Sequence, residues 1–195
     1  KNTKKHSKGG KLYFYFPGAF TQQSYLDVNF SLVNEQRERI HSSTLVLPNI
    51  SGIFGLRLKD LEGAPSLEVN KNYEWGIAIS VDDFSRSRYI SGWIQRLLST
   101  STELQQLADI QPEDRPYIYA TEGIWYDTVA ALFELTQLNP ENSTAQDNLQ
   151  DLIESIGLSS IDTRDFIGYL SEFSSDDVSS IVSSSGNDTK IINQN

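Results

Sequence analysis

The first half of the chain alternates apolar and polar residues with a period of two. The clearest run covers residues 72–81, in which every second side chain is apolar. Similar short runs occur elsewhere within residues 12–96, and turn sequences such as Pro17-Gly18 separate them. No pattern long enough for a helix interrupts the series. The alternation predicts six or seven short antiparallel strands, arranged as an immunoglobulin-like β-sandwich over residues 11–98.

The second half has a helical period instead. Its longest pattern begins at Ile124 and ends at Asn139-Pro140, and apolar residues cover most of the circumference of this helix. A helix with so little polar surface needs neighbours on more than one side, so we predict a central helix with shorter helices before and after it. The chain is therefore predicted to be α+β, with a short antiparallel α-helical segment at residues 99–158 packed on the sandwich.

The two ends of the chain have compositions that do not support a core. Residues 1–11 contain five lysines, and residues 159–195 contain ten serines. We predict a disordered basic leader over residues 1–10 and a disordered tail over residues 159–195, with at most a marginal turn or two of helix near residues 165–173.

Charge is distributed unevenly along the 195 residues, whose formal net charge is −10. Residues 12–96 are close to neutral, whereas residues 97–158 contain eleven acidic residues and Arg115 as their only base. So acidic a half repels phosphate, which disfavours nucleic-acid binding. The acidity either keeps the protein in solution or forms a docking face for a protein with a basic surface. The candidate docking residues are Asp147, Asp151 and Glu154.

Two features that the sequence lacks exclude certain kinds of protein and of site. The chain contains no run of about eighteen apolar residues, which predicts no membrane span. Cysteine is absent, and this removes disulfides, thiolate nucleophiles and cysteine-containing zinc sites.

No set of side chains typical of catalysis occurs in the sequence. His6 lies in the predicted leader and His41 in a predicted turn, so a Ser-His-Asp relay or a two-histidine metal site is not expected. Asp82 and Asp83, with Arg86, form the most highly charged loop of the first half, and paired carboxylates can bind a hard cation or act as acid and base. Neighbouring residues of an extended chain point to opposite sides, however, which favours a solvated loop. We predict no metal site and no cofactor.

The aromatic residues allow two interpretations. Trp75, Trp93, Trp125 and Tyr126 are able to form a platform for a sugar or a peptide. The alternation around Trp75 and the broad apolar face around Trp125 favour a place in the core instead. Tyr126 is then the candidate exposed aromatic residue.

Two blocks of sequence resemble a known family, the uncharacterised and mostly cyanobacterial family called domain of unknown function 928. The blocks are Gly92-Trp93-Ile94 and Gly123-Ile124-Trp125-Tyr126-Asp127. The resemblance covers about residues 11–158 and implies an exported protein of the periplasm or cell envelope with no assigned activity; the absence of an initiator Met agrees with export. Members often carry a cysteine just before the loop of Asp82-Asp83, where this chain has Val81, so no role for that cysteine carries over.

The helical half also resembles one tetratricopeptide repeat. The matching residues are Tyr119, Gly123, Trp125, Leu132, Leu135 and Pro140. Thr128 stands where a small residue is expected between the helices, and Pro112 and Pro116 occupy positions that large residues and glycine normally take. The resemblance implies a helical hairpin.

Three functions agree with these observations. The favoured one is a non-enzymatic protein-interaction or scaffold module, because no catalytic set is found. The second is a carbohydrate- or cation-binding sandwich domain that uses the loop Asp82–Arg88, and the third is an unrecognised hydrolase with paired carboxylates.

Overall fold

Two β-sheets form the larger part of the structure, a computed structural model in which residues 10–18, 23–80, 87–98 and 101–170 are described. The described strands are β1 (Lys11–Phe16), β2 (Tyr25–Val33), β3 (Arg39–Pro48), β4 (Gly52–Arg57), β5 (Asn72–Ser80), β6 (Ser87–Gln95) and β7 (Phe166–Leu170). One sheet has the order β1-β4-β7 and the other the order β3-β2-β5-β6. With the helices that follow β6, this arrangement confirms the predicted α+β class.

The two sheets share one hydrophobic core. Along β2 every second side chain from Leu26 to Leu32 is buried, which is the alternation that the sequence shows. Leu12 and Phe16 of β1 enter the same core from the other sheet. Burying one large apolar side chain contributes about 1.5–3 kcal/mol, so the period-two pattern determines which face of each strand turns inward.

Four α-helices follow β6 within the described part of the chain. They are α1 (Thr102–Gln105), α2 (Arg115–Thr121), α3 (Trp125–Leu138) and α4 (Ser143–Ser155). Pro116 lies in the first turn of α2, where a missing N–H costs no hydrogen bond. Gly123 adopts a φ of 71° between α2 and α3, a left-handed conformation that glycine takes without strain. The side chain of Asn142 caps α4 by accepting a hydrogen bond of 3.1 Å from the backbone N–H of Ala145.

Helix α3 is the central helix, as its pattern predicts. It contacts α2 and α4, and it also packs on β1. The ring of Phe133 stacks on Tyr13 of β1, with 4.4 Å between the centroids and 13° between the planes. The same ring lies 5.2 Å from that of Phe166 in β7. Lys11 of β1 forms an ion pair with Glu134 of α3. The helices therefore cover the face of the three-stranded sheet that points away from the shared core.

Strand β7 departs from the prediction for the C-terminal residues. Residues 166–170, where disorder or a marginal turn of helix was predicted, form a strand that pairs parallel to β4. Leu170 is buried in the core between the sheets. Parallel pairing is possible here because the helical segment supplies the long crossover that it requires. The sheets are thus not wholly antiparallel, and residues 11–98 do not contain all of their strands.

The remaining predictions about the fold have three different outcomes. His41 lies within β3 and not in a turn, because the pairing of β3 with β2 already begins at Arg39. The predicted disorder of residues 1–9 and 171–195 concerns residues outside the described part of the chain. The division into domains, the immunoglobulin-like topology and the tetratricopeptide likeness stay predictions.

The placement of β7 can be tested by comparing two of its apolar residues. Leu170→Ala should lower the free energy of unfolding by about 3 kcal/mol, because it leaves a cavity in the shared core. Ile167→Ala in the same strand is the control; its side chain is 38% exposed, and the loss should stay below about 1 kcal/mol. Urea denaturation measures both values, and equal losses would contradict the burial of Leu170.

Candidate binding surfaces and the family of the chain

The loop that the sequence singles out for cations or carbohydrates is not among the described residues. Asp82, Asp83 and Arg86 all lie in the gap at residues 81–86, so their role stays a prediction. Within the described ranges, no group of three or more acidic or histidine side chains is placed to hold a metal ion. No helix in those ranges has the length and hydropathy needed to cross a bilayer.

Three predicted docking residues lie together on one exposed face of α4. Asp147, Asp151 and Glu154 are spaced by four and three residues, which puts them on the same side of a helix. The opposite side of α4 carries Leu149 and Ile153, which are buried against α3. The structure therefore assembles these three carboxylates into one surface, which we call the acidic face of α4.

A cavity of about 440 Å³ adjoins the acidic face of α4. Asp147, Asp162 and Arg164 are among its lining residues. The guanidinium of Arg164 donates hydrogen bonds of 2.6 Å and 2.8 Å to the carboxylate of Asp162. These side-chain hydrogen bonds lower the pKa of Asp162 to about 2. Since both side chains are exposed, the pair adds little stability, but it engages the one basic side chain among the described residues that line this cavity.

Strand β6 is an edge of the four-stranded sheet, and β5 is its only neighbour among the described strands. From residue 88 to residue 95 only Ile94 is buried. The exposed fractions of Tyr89, Ile90 and Trp93 are 59%, 48% and 57%. The ring of Tyr89 lies over Gly76 of β5, where a Cβ atom would come within 2.5 Å of the phenol oxygen. The edge therefore presents a long apolar strand whose aromatic side chains lie on the outer face of the sheet.

A cleft of about 540 Å³ lies between the sheets and the start of the helical segment. Its apolar lining comes from both sides and includes Leu58, Leu67, Ile94, Leu104, Leu107 and Ile124. Lys59 and Arg96 line it from the strands and the loops around them, and Asp127 lines it from the first turn of α3. Lys11 also reaches the cleft, where its ion pair with Glu134 engages the ammonium group.

The aromatic residues at the start of α3 correct two predictions about burial. Tyr126, the predicted exposed residue, is half-buried, and its hydroxyl accepts a hydrogen bond of 3.4 Å from Nε1 of Trp75. Trp125, predicted to lie in the core, is 38% exposed. The reason is that Trp125 is the first residue of α3 and stands at the end of the helix, where it lines the cleft.

Tyr119 brings a phenol to the same cleft. Burial raises the pKa of Tyr119, and the negative charge of Asp127 raises it further. The phenol is therefore neutral and can donate a hydrogen bond at neutral pH.

The cleft as a whole was not predicted from the sequence, because segments that are distant in the chain line it. One signal was nevertheless present. Ile94 belongs to the first of the two blocks that carry the family resemblance, and Gly123 to Asp127 form the second. Ile94 and all five residues of the second block line the cleft, so the two most distinctive pieces of sequence meet there.

These features define a mixed α+β protein with a three-stranded and a four-stranded sheet, helices on the smaller sheet, an open sheet edge and an apolar cleft. The family model described as Domain of Unknown Function (DUF928) matches residues 2–166. The chain belongs to this family, and the resemblance identified from its sequence is confirmed. No curated protein and no solved structure matches the chain.

The hydrogen bonds between Arg164 and Asp162 lead to a pH prediction. An NMR titration should give Asp162 a pKa of about 2, and Arg164→Gln should return the pKa toward the ordinary aspartate value. Because the pKa is lowered by folding, the stabilisation is present above the ordinary pKa and is lost as the pH falls through about 2. Arg39→Gln, on the exposed start of β3, is the control and should not change the titration of Asp162. An unchanged pKa in Arg164→Gln would contradict the pairing.

Proposed function

We propose that the protein is a non-enzymatic protein-interaction module that takes an extended segment of a partner protein along β6. The observation that carries the proposal is the exposure of three large apolar side chains, Tyr89, Ile90 and Trp93, on an edge strand nine residues long. The outer side of an edge strand presents backbone N–H and C=O groups that have no strand to pair with. An added strand satisfies these groups, and pockets for alternate side chains supply specificity.

The composition of β6 supports this proposal. Edge strands are usually protected from pairing by charged residues, proline or a bulge. Strand β6 contains no proline, and Arg88 is its only charged residue. Its pairing with β5 runs without a register shift from Ser80↔Ser87 to Asn72↔Gln95. A regular edge with a single charged residue and no proline is typical of a strand that receives another strand.

The chemistry of the edge also limits the partner. Tyr89 and Trp93 lie on one face at a spacing of four residues, so they offer contacts to apolar side chains at alternate positions of an added strand. The partner segment we propose is therefore extended and apolar at alternate positions.

A lysine on the edge tests the proposal. Trp93→Lys should remove binding of the partner, because a charge on the outer face of an edge strand opposes the addition of another strand. Wild-type protein, Trp93→Lys and Tyr117→Lys are used to capture proteins from an envelope extract, the source that the proposed export suggests. Tyr117 lies on α2 and is 78% exposed, so its substitution is a control for an added surface lysine.

The result expected is a protein that wild type and Tyr117→Lys retain and Trp93→Lys loses. A synthetic peptide of the captured segment should then bind wild type and not Trp93→Lys, while both melt at similar temperatures. An identical set of captured proteins for all three baits would contradict the proposal. A wild-type dimer that Trp93→Lys converts to a monomer in sedimentation would replace the partner segment with a second copy of the chain.

The acidic face of α4 supports a second docking mode, to a protein with a basic surface. Its three carboxylates lie on one exposed side of the helix, in a protein with a net charge of −10. Opposite charges across an interface accelerate association and select the partner, and added salt screens both effects.

Reversal of these charges tests the second mode. The triple substitution Asp147→Lys, Asp151→Lys and Glu154→Lys should abolish capture of a basic partner and preserve folding, since the three residues are exposed. For wild type, capture should weaken steeply between about 50 mM and 200 mM salt. Capture that is unchanged by the substitutions and by salt would leave solubility as the role of the acidity.

A further inference from the structure

We propose that the cleft between the sheets and the helices is a binding site for a small organic anion with an apolar body, of the class of medium-chain carboxylates. This site is separate from the outer face of β6 and does not depend on the partner proposed above. Three properties of the cleft carry the inference: its volume, its apolar walls and the sign of the charges around it.

The volume and the walls match a site for a small molecule. Pockets that hold small organic ligands are about 300–1,000 Å³ in volume and mostly apolar, and the cleft measures about 540 Å³. On the strand side, Leu58, Leu67 and Ile94 are buried members of the core between the sheets. On the helix side, Leu104 and Leu107 are buried as well. The core holds the strand-side wall in place, so that part of the cleft is formed before any ligand enters.

The charges around the cleft favour an anion. Three of the four charged side chains that line it within the described residues are basic, although the protein as a whole carries −10. Lys11 already forms an ion pair with Glu134, so we do not assign it to the ligand. Lys59 lies 4.0 Å from Asp60, a weak and exposed pairing. Lys59 and Arg96 are therefore the cations we assign to the ligand.

Arg96 is held in a position to bind a carboxylate. Its Nη1 donates a hydrogen bond of 3.1 Å to the backbone carbonyl of Leu67, which fixes the guanidinium against the strand-side wall. A guanidinium has five N–H donors in a planar fork, so one bond to a carbonyl leaves donors for a carboxylate. Asp127 lines the cleft from α3 and repels an anion there. The carboxylate of the ligand is therefore directed to the strand side, and its apolar body to the leucines.

The aromatic residues at the start of α3 provide both a contact and a signal. Trp125 lines the cleft and is 38% exposed, so a bound apolar chain would remove part of its ring from water. Tyr126 is fixed beside it by the hydrogen bond from Trp75, and the rings of Trp125 and Tyr126 meet edge-on at 5.5 Å. The fluorescence of Trp125 should therefore change when the cleft is occupied.

The test uses decanoate as the probe and decan-1-ol as its uncharged match. The full chain is titrated with each compound below its micelle or solubility limit, and tryptophan fluorescence and melting temperature are recorded. Decanoate should bind saturably and raise the melting temperature, since a ligand of the folded state stabilises it. Decan-1-ol should bind about tenfold more weakly, because it lacks the charge-assisted hydrogen bonds. Trp125→Phe should lose the fluorescence change, which assigns the signal to the ring that lines the cleft.

Three variants of cleft residues and one control variant outside the cleft test where the ligand binds. Lys59→Gln and Arg96→Gln should each weaken the binding of decanoate about tenfold and bring it close to that of decan-1-ol. Arg39→Gln removes a charge at the exposed start of β3, the opposite edge of the four-stranded sheet from β6, and should have no effect. Ser66→Trp puts a large ring on an exposed position of the cleft wall and should abolish binding.

Three outcomes would overturn the inference. The first is no binding of decanoate at millimolar concentration, and the second is equal affinity for decan-1-ol, which would remove the anion from the proposal. The third is binding that Ser66→Trp leaves unchanged, which would place the ligand elsewhere. Arg96→Gln removes the hydrogen bond between Arg96 and Leu67, and this loss could disturb folding. Lys59→Gln tests the role of charge without that complication, because the Lys59 side chain is more than half exposed.

Discussion

The stacking of Phe133 on Tyr13 is the contact on which the arrangement of the molecule depends, because it joins the helices to the three-stranded sheet. Stacked aromatic pairs contribute about 0.5–1.5 kcal/mol beyond the burial of their area. Burial raises the pKa of Tyr13, and its hydrogen bond of 2.9 Å with Tyr169 raises it further, so the phenol stays neutral in the interface. The contact fixes α3 on the sheet, and α3 in turn positions Trp125 and Tyr126 at the cleft.

Much of the fold follows from local patterns in the sequence, and one strand does not. The alternation of β2 predicts which side chains are buried, because a shift of one residue would turn all of them outward. The cap at Asn142 is also a local feature, since it depends on a few neighbouring residues. Strand β7 escapes prediction because its five residues include Gly168 and bury side chains on both faces, so no alternation appears. Residues 166–170 form a strand because they pair with β4.

Some features of the candidate sites could also be predicted from the sequence, and others could not. The acidic face of α4 could be predicted, since a spacing of three or four residues places side chains on one side of any helix. The exposure of β6 could not be predicted, because the alternation of an edge strand and that of an inner strand such as β5 look alike in sequence. The exposure of Trp125 could not be predicted either, because it depends on where α3 begins relative to the elements packed around it. The cleft is lined by residues as distant in sequence as Leu58 and Asp127, and no local sequence pattern predicts that they lie close together.

The parallel pairing of β7 with β4 has a consequence for the order in which the chain folds during its synthesis. A nascent chain that has not yet reached residue 166 has only the β1–β4 ladder where the finished protein has three strands. A two-stranded ladder is marginally stable alone, and contacts between distant residues form slowly because a long loop must close first. Phe166 then completes the aromatic cluster around Phe133. The helices therefore gain support from a strand that leaves the ribosome after every other described strand, and this part of the native structure forms only after translation has passed Leu170.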